Sequence, residues 1–199
     1  MNNFRGHNAD LQSQITLLTD ILSQNRPIYD VIKKMACFGL RDYYVGAGCI
    51  TQTIWNYQCG NELTHGISDI DIVYYDSDDL SYEAEDTVIK QIKRALEPCA
   101  FELDIKNQAR VHIWYKEIWG QDITPYVSVE NAINTWPTSS TAIGVRFENN
   151  QLKIYAPFGL NDLFGMTVRP NKTQITQEVY LQKVNKWQDK WPLLTIIPW

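Results

Sequence analysis

The chain has 199 residues, 44% of them hydrophobic and 12% aromatic, enough apolar material for one well-packed domain and too much for a disordered chain. Its formal charge of −5 argues against a dedicated binder of bulk DNA, which needs a basic footprint, and leaves small or metal-neutralised substrates. No apolar run approaches the roughly 20 residues that cross a bilayer, no secretory signal is visible, and Cys37, Cys49, Cys59 and Cys99 form no CxxC pair. A cytoplasmic protein with reduced thiols and no membrane partner is the expectation.

Leu11, Ile15, Leu18 and Leu22 lie on one helical face, and Pro27 can open a second helix that buries Ile28, Val31, Ile32, Met35 and Ala36. With Gly39 as a stop, residues 9–38 read as a helical hairpin. Tyr43–Val45 reads as a short strand, Gly46-Ala47-Gly48 as a tight turn, and Cys49–Tyr57 as a helix. Residues 59–66 carry turn chemistry, and 67–75 form a strand. Ser81 caps a helix that has Glu83 and Glu85 in its first turn, Lys93 and Arg94 in its last, and Pro98 beyond its end. Residues 101–105 form the next strand, so strands and helices alternate in an α/β core.

The second half is less regular. Residues 108–118 and 128–135 read as helices, and strands on either side of Asn149-Asn150 read as a hairpin. The run 156–171 reads as a turn, a short helix and an exit through Pro170. A last helix carries Tyr180, Val184, Trp187 and Trp191 as a core-facing stripe. The organisation expected is one domain over 1–199: helices in 1–40, a core in 41–170 and a terminal helix in 171–199.

Four acid-x-acid pairs occur, at 69/71, 76/78, 83/85 and 102/104, against roughly two or three expected by chance. Spacing alone therefore decides little, and setting decides more. Residues two apart in a strand share a face, about 6.5 to 7 Å apart. Asp69 and Asp71 then point away from Ile70, Ile72 and Tyr74, and Glu102 and Asp104 away from Leu103 and Ile105. Carboxylates gathered on neighbouring strands repel unless a cation joins them, and Mg²⁺ (or Mn²⁺) takes one or two carboxylates with waters and phosphate oxygens. The alternative is that 69/71 simply face solvent. The GAG turn ahead of a helix offers amides and a helix N-terminus to phosphate, which adds what the acids lack.

That order, together with "LRDYYVGAGCITQTIWN", "SDIDIVYYD", "DIKNQARVHIWY", "APFGLNDLFGMTVRPN" and "KWPLL", resembles a bacterial family of nucleotidyltransferase-like proteins of unassigned biological role, within the DNA polymerase β-type superfamily. The resemblance runs from about Leu40 to Leu194. It implies a mixed sheet flanked by helices, with an N-terminal helical hairpin and a C-terminal helix. It makes Gly46, Ala47 and Gly48 the phosphate turn, Asp69 and Asp71 metal ligands, and Asp104 the third carboxylate, which completes the metal site and helps deprotonate the acceptor, with Glu102 in reserve. The chain departs from the superfamily in having Ala47 and Cys49 where a serine is usual, and a longer stretch between Gly48 and Asp69.

Lys106, Asn107, Arg110 and His112 follow Asp104 and are candidates to neutralise or orient a nucleotide, or to be satisfied structural groups. His65 reads as an exposed loop residue. Asp162 can match a helix dipole, and Arg169 can reach a phosphate or an internal acid. Trp55, Trp114 and Trp136 read as core rather than a base-stacking wall, though one near the turn can do both. The function implied is Mg²⁺-dependent transfer of NMP from an NTP to an acceptor, small molecule before protein or RNA end, with release of pyrophosphate. The alternatives are a non-catalytic nucleotide-binding or interaction module on the same fold and, more weakly, a metal-dependent phosphohydrolase.

Overall fold

Asp10 accepts from the Ser13 amide at 3.0 Å and so starts helix α1, Leu11–Gln24; helix α2, Arg26–Phe38, follows after the single residue Asn25. The computed structural model describes residues 4–199, so residues 1–3 of the expected N-terminal segment lie outside it. Asn25 holds the corner between the helices: its buried amide donates to Thr53 Oγ1 at 2.8 Å and to the Leu63 carbonyl at 3.1 Å. Leu18, Leu22, Ile28, Val31, Ile32 and Met35 are buried as read, whereas Leu11, which begins α1 beyond the packed turns, and Ala36, in the last turn of α2 past its packed face, are exposed.

Strands β1 (Tyr43–Gly46), β2 (Asp69–Tyr74), β3 (Glu102–Asn107), β4 (Gly144–Glu148) and β5 (Gln151–Tyr155) make one mixed sheet in the order β3-β2-β1-β4-β5. β2 and β3 are parallel, joined by helix α4 (Tyr82–Leu96), and the other pairings are antiparallel. Asn149 and Asn150 both adopt left-handed φ, 52° and 60°, as a two-residue hairpin between β4 and β5 requires. Helix α3, Gly48–Cys59, connects β1 to the loop before β2.

A 3-10 turn at Gln108–Arg110 precedes helix α5, Val111–Trp119, where one continuous helix was expected. Asn107 caps the start of the 3-10 turn, its side chain accepting from the Ala109 amide at 3.1 Å, and no side chain caps α5 itself. Helices α6 (Val129–Ile133), α7 (Asn161–Phe164) and α8 (Gln177–Lys190) complete the helical set. A second, two-stranded parallel sheet joins β6 (Thr167–Val168) to β7 (Thr195–Ile196); strands of two residues leave no periodicity to read.

The two faces of the large sheet differ. Ile70, Ile72, Leu103, Ile105 and Val45 enter the main core with α1 to α4. The other face holds a smaller apolar cluster of Tyr44, Val73, Val129, Ile133 and Ala142, and beside it the acids of β2 and β3. Those acids therefore lie on the lightly covered face, and the main core never has to bury them.

Candidate active site

The parallel register sets Asp71 opposite Asp104 and Asp69 opposite Glu102. Asp69, Asp71 and Asp104 line one cleft of about 590 Å³, while Glu102 is exposed and stays outside its lining. Of the two candidates for third carboxylate, Asp104 is the one the fold brings in. Burial, then the neighbouring Asp69 and Asp104 carboxylates, push the Asp71 carboxyl up to about 7, against the pull of Lys106 and Lys183. Concentrated negative charge of this kind is what a cation relieves.

The turn before α3 lies at the same cleft, lined by Ala47 and Gly48. Gly46 is required by a close approach: a Cβ there would stand 2.4 Å from the Ile143 carbonyl oxygen and 3.1 Å from Trp136. That same carbonyl accepts from the Ala47 amide at 2.9 Å and fixes the turn. The left-handed position is Ala47 itself, at φ 54° and ψ −126°, so alanine carries strain at the point where the chain must double into the helix. No side chain caps α3, and its first residue, Gly48, lines the cleft, so an uncapped helix N-terminus lies at its wall. Cys49, where a serine is usual, turns its buried thiol back to the Gly46 carbonyl at 3.1 Å.

The opposite wall comes from α8. Lys183, Lys186 and Lys190 line the cleft, with Trp187 among them. Their spacings of three and four place them on one helical face. This basic row was not picked out in the sequence, where only the aromatic members of the helix were followed; its i, i+3, i+7 spacing was the available signal. Tyr180, Val184 and Trp191 are core, as read, but Trp187 also reaches the cleft. Trp55 is buried against Trp187 and Trp191, with ring centroids 5.6 and 5.4 Å away. Trp114 and Trp136 do both: partly buried against the smaller apolar clusters, they also contribute to the cleft wall.

Asn56 locks the far end of this wall. Its side chain donates to the Leu63 and His65 carbonyls at 3.0 and 2.8 Å, and it accepts from Trp191 Nε1 at 2.7 Å. Lys190 adds a bond to the Gly66 carbonyl at 3.1 Å. The His65 ring is exposed and stands edge-on to Trp191.

Of the residues that follow Asp104, Lys106 lines the cleft and forms an ion pair with Asp104. Asn107, Arg110 and His112 do not line it. Asn107 is buried and clasps the Asp76 backbone, accepting from its amide at 3.0 Å and donating to its carbonyl at 2.8 Å. Arg110 is paired with Glu85 and donates from Nε to the Leu80 carbonyl at 2.9 Å. His112 Nδ1 is buried without a hydrogen-bond partner. Arg169 takes the internal option, holding Asp162 at 3.0 Å while Ser139 Oγ donates to the same carboxylate at 2.5 Å.

The donor set suits Mg²⁺ as far as chemistry goes: hard carboxylates on one face, crowded enough to raise Asp71, with a phosphate-accepting turn beside them. Among the described residues no three His, Cys, Asp or Glu side chains form a ready-made metal cage. Lys106 on Asp104 leaves Asp69 and Asp71 as the pair available to a cation, the number that Mg²⁺ commonly takes when phosphate and water complete its shell.

A glycine turn on β1, paired acids on β2 and a third acid in register on parallel β3 define the head of a nucleotidyltransferase, a transferase class. A family model described as "Nucleotidyltransferase" matches residues 33–196, and the chain belongs to that family. It is also similar to a solved structure whose description reads "The NMR structure of the protein reveals a CCA-adding enzyme head domain". The two chains are 26% identical with a TM-score of 0.73, over 91% of this chain and 96% of that one. No curated protein matches the chain in sequence. Membership implies an NTP substrate. Among the described residues, no helix is long and apolar enough to cross a membrane.

Proposed function

We propose that the chain transfers NMP from an NTP to a small-molecule acceptor in a Mg²⁺-dependent reaction at the cleft between β2, β3 and α8. The observation that carries this reading is that Asp69, Asp71 and Asp104 share one cleft with the Gly48 turn and the α8 lysines. Asp69 and Asp71 would hold the cation, which when bound neutralises the phosphates and favours departure of pyrophosphate. The α3 amides and the lysine row would bind the triphosphate and position the α-phosphorus over the acids. An acceptor hydroxyl forms the new O–P bond as the bond to the β-phosphate oxygen breaks. The hydroxyl proton passes to Asp104, held beside the site by Lys106. Calorimetry with a non-hydrolysable NTP tests this: binding should require Mg²⁺ and should vanish in Asp69→Asn. Equal affinity with and without Mg²⁺ would refute it.

The Lys106–Asp104 pair favours one second reading, a binding module in which a cation substitutes for the metal. In that case NTP binds but no α-labelled product forms with any acceptor pool, and Lys106→Ala does not change this.

A further inference from the structure

A second cavity, of about 530 Å³, adjoins the acidic cleft, and Gln108, Trp119, Trp136, Pro137 and Lys183 line both. Its size is that of a small-molecule site, and its chemistry differs sharply from the cleft. Tyr115, Tyr126 and Val179 line it together with Trp119 and Trp136, and the remaining polar groups are chiefly neutral amides such as Gln121 and Gln182. Lys183, at the shared border, and Glu178 are the charged residues of its lining. Helix α8 runs along both chambers and changes character between them. Thr176, Val179 and Gln182 face the aromatic cavity, and Lys183, Lys186 and Lys190 face the cleft.

Strand order decides which substrate belongs where. The sheet runs β3-β2-β1, so the acids of β2 have the phosphate turn at the end of β1 on one side and β3 on the other. Asp104, Lys106 and Gln108 alternate along the β3 side, from the acids to the mouth of the aromatic cavity. A phosphoryl displacement needs its leaving and entering oxygens in line on opposite sides of phosphorus. With the polyphosphate at the β1 side, the entering group comes from the β3 side. Aromatic faces with neutral amides suit an uncharged ring carrying hydroxyls, and repay a charged polymer poorly.

Resting on the nucleotidyl-transfer reading, we infer that this aromatic cavity is the acceptor site, and that the acceptor is a small uncharged ring compound bearing a hydroxyl. Its hydroxyl oxygen takes the NMP group, its proton goes to Asp104, and pyrophosphate leaves through the β1 side.

Indole Nε1–H NMR signals of Trp119 and Trp136 provide the test, with methyl glucoside, inositol and uridine as millimolar probes. At least one probe should shift both signals, in the protein alone and in protein saturated with Mg²⁺ and a non-hydrolysable NTP. Gln182→Trp, at an exposed position, and Val179→Trp fill the cavity and should abolish the shifts while NTP affinity stays within about threefold, a change of less than about 0.7 kcal/mol. Silence from all three probes overturns the inference. So does displacement of the probe by the NTP, which would assign the cavity to the nucleotide's own base. If the probes bind but the NTP does not, the transfer reading fails and the cavity loses its role as an acceptor site, a pattern distinct from the other two.

Discussion

Asp71 and Asp104 are register partners on two parallel strands, facing the same side of the sheet with a lysine drawn onto one of them. Removing either β2 acid should separate binding from folding. Asp69→Asn and Asp71→Asn are expected to abolish Mg²⁺-dependent NTP binding, measured by calorimetry, while circular dichroism stays unchanged.

The raised Asp71 carboxyl gives stability a definite pH dependence. Its folded value, about 7, lies above the ordinary aspartate value, so between roughly pH 4 and pH 7 the folded state keeps a proton that the unfolded chain has released. Stability of the metal-free protein therefore falls as pH rises through that window. Asp71→Asn, which stays neutral, should melt higher than the wild type at pH 8, by at most about 4 kcal/mol, and equally near pH 4. Added Mg²⁺ should narrow the gap at pH 8 by stabilising only the wild type. Equal melting curves at pH 8 would contradict the crowding at this carboxylate.

The α8 lysines should act on nucleotide affinity rather than on folding, because they are at least partly solvated. Lys186→Ala is expected to weaken NTP binding about three- to tenfold and to flatten its dependence on ionic strength. Titrations at two salt concentrations would reveal both effects.

The turn at 46–48 should respond in opposite directions to two small substitutions. Gly46→Ala drives a methyl into the Ile143 carbonyl and should cost about 1–3 kcal/mol in chemical denaturation. Ala47→Gly relieves the left-handed backbone at that position and should gain about 1 kcal/mol.

Arg110 should prove structural. Its pair with Glu85 is nearly buried, with side-chain exposures of 9% and 11%, and Glu85 also accepts from the Asn107 amide at 2.8 Å. Arg110→Met is expected to lose about 3–5 kcal/mol of stability while leaving Mg²⁺–NTP affinity in the surviving folded protein unchanged.

These contrasts show where the sequence was legible. The apolar strand around Asp69 and Asp71, the helix stripes and the Asn149-Asn150 hairpin follow from periodicity and turn chemistry, which are local. Arg110 and Asn107 stood next to Asp104 in sequence and looked like nucleotide ligands. Their true partners, Glu85 and the Asp76 backbone, are more than twenty residues away, across the α4 connection. The α8 lysines are the converse case: they meet the acids only through tertiary packing, about 80 to 120 residues along the chain. Ala47 shows a third limit, since a backbone angle reserved for glycine was placed on the one residue of the turn that is not glycine.

The hub at Asn56 bears on how the enzyme meets its substrate. One amide ties together the 59–66 loop and the end of α8, and with Trp191 and Lys190 it braces that corner through four hydrogen bonds. The corner that flanks the proposed polyphosphate site is thus set before any ligand arrives, and none of the binding energy is diverted to shaping it. On the inference drawn above, selection among acceptors falls to the aromatic end of the groove, where Tyr126 is tied to Thr135 and Gln174 at 2.8 and 2.9 Å.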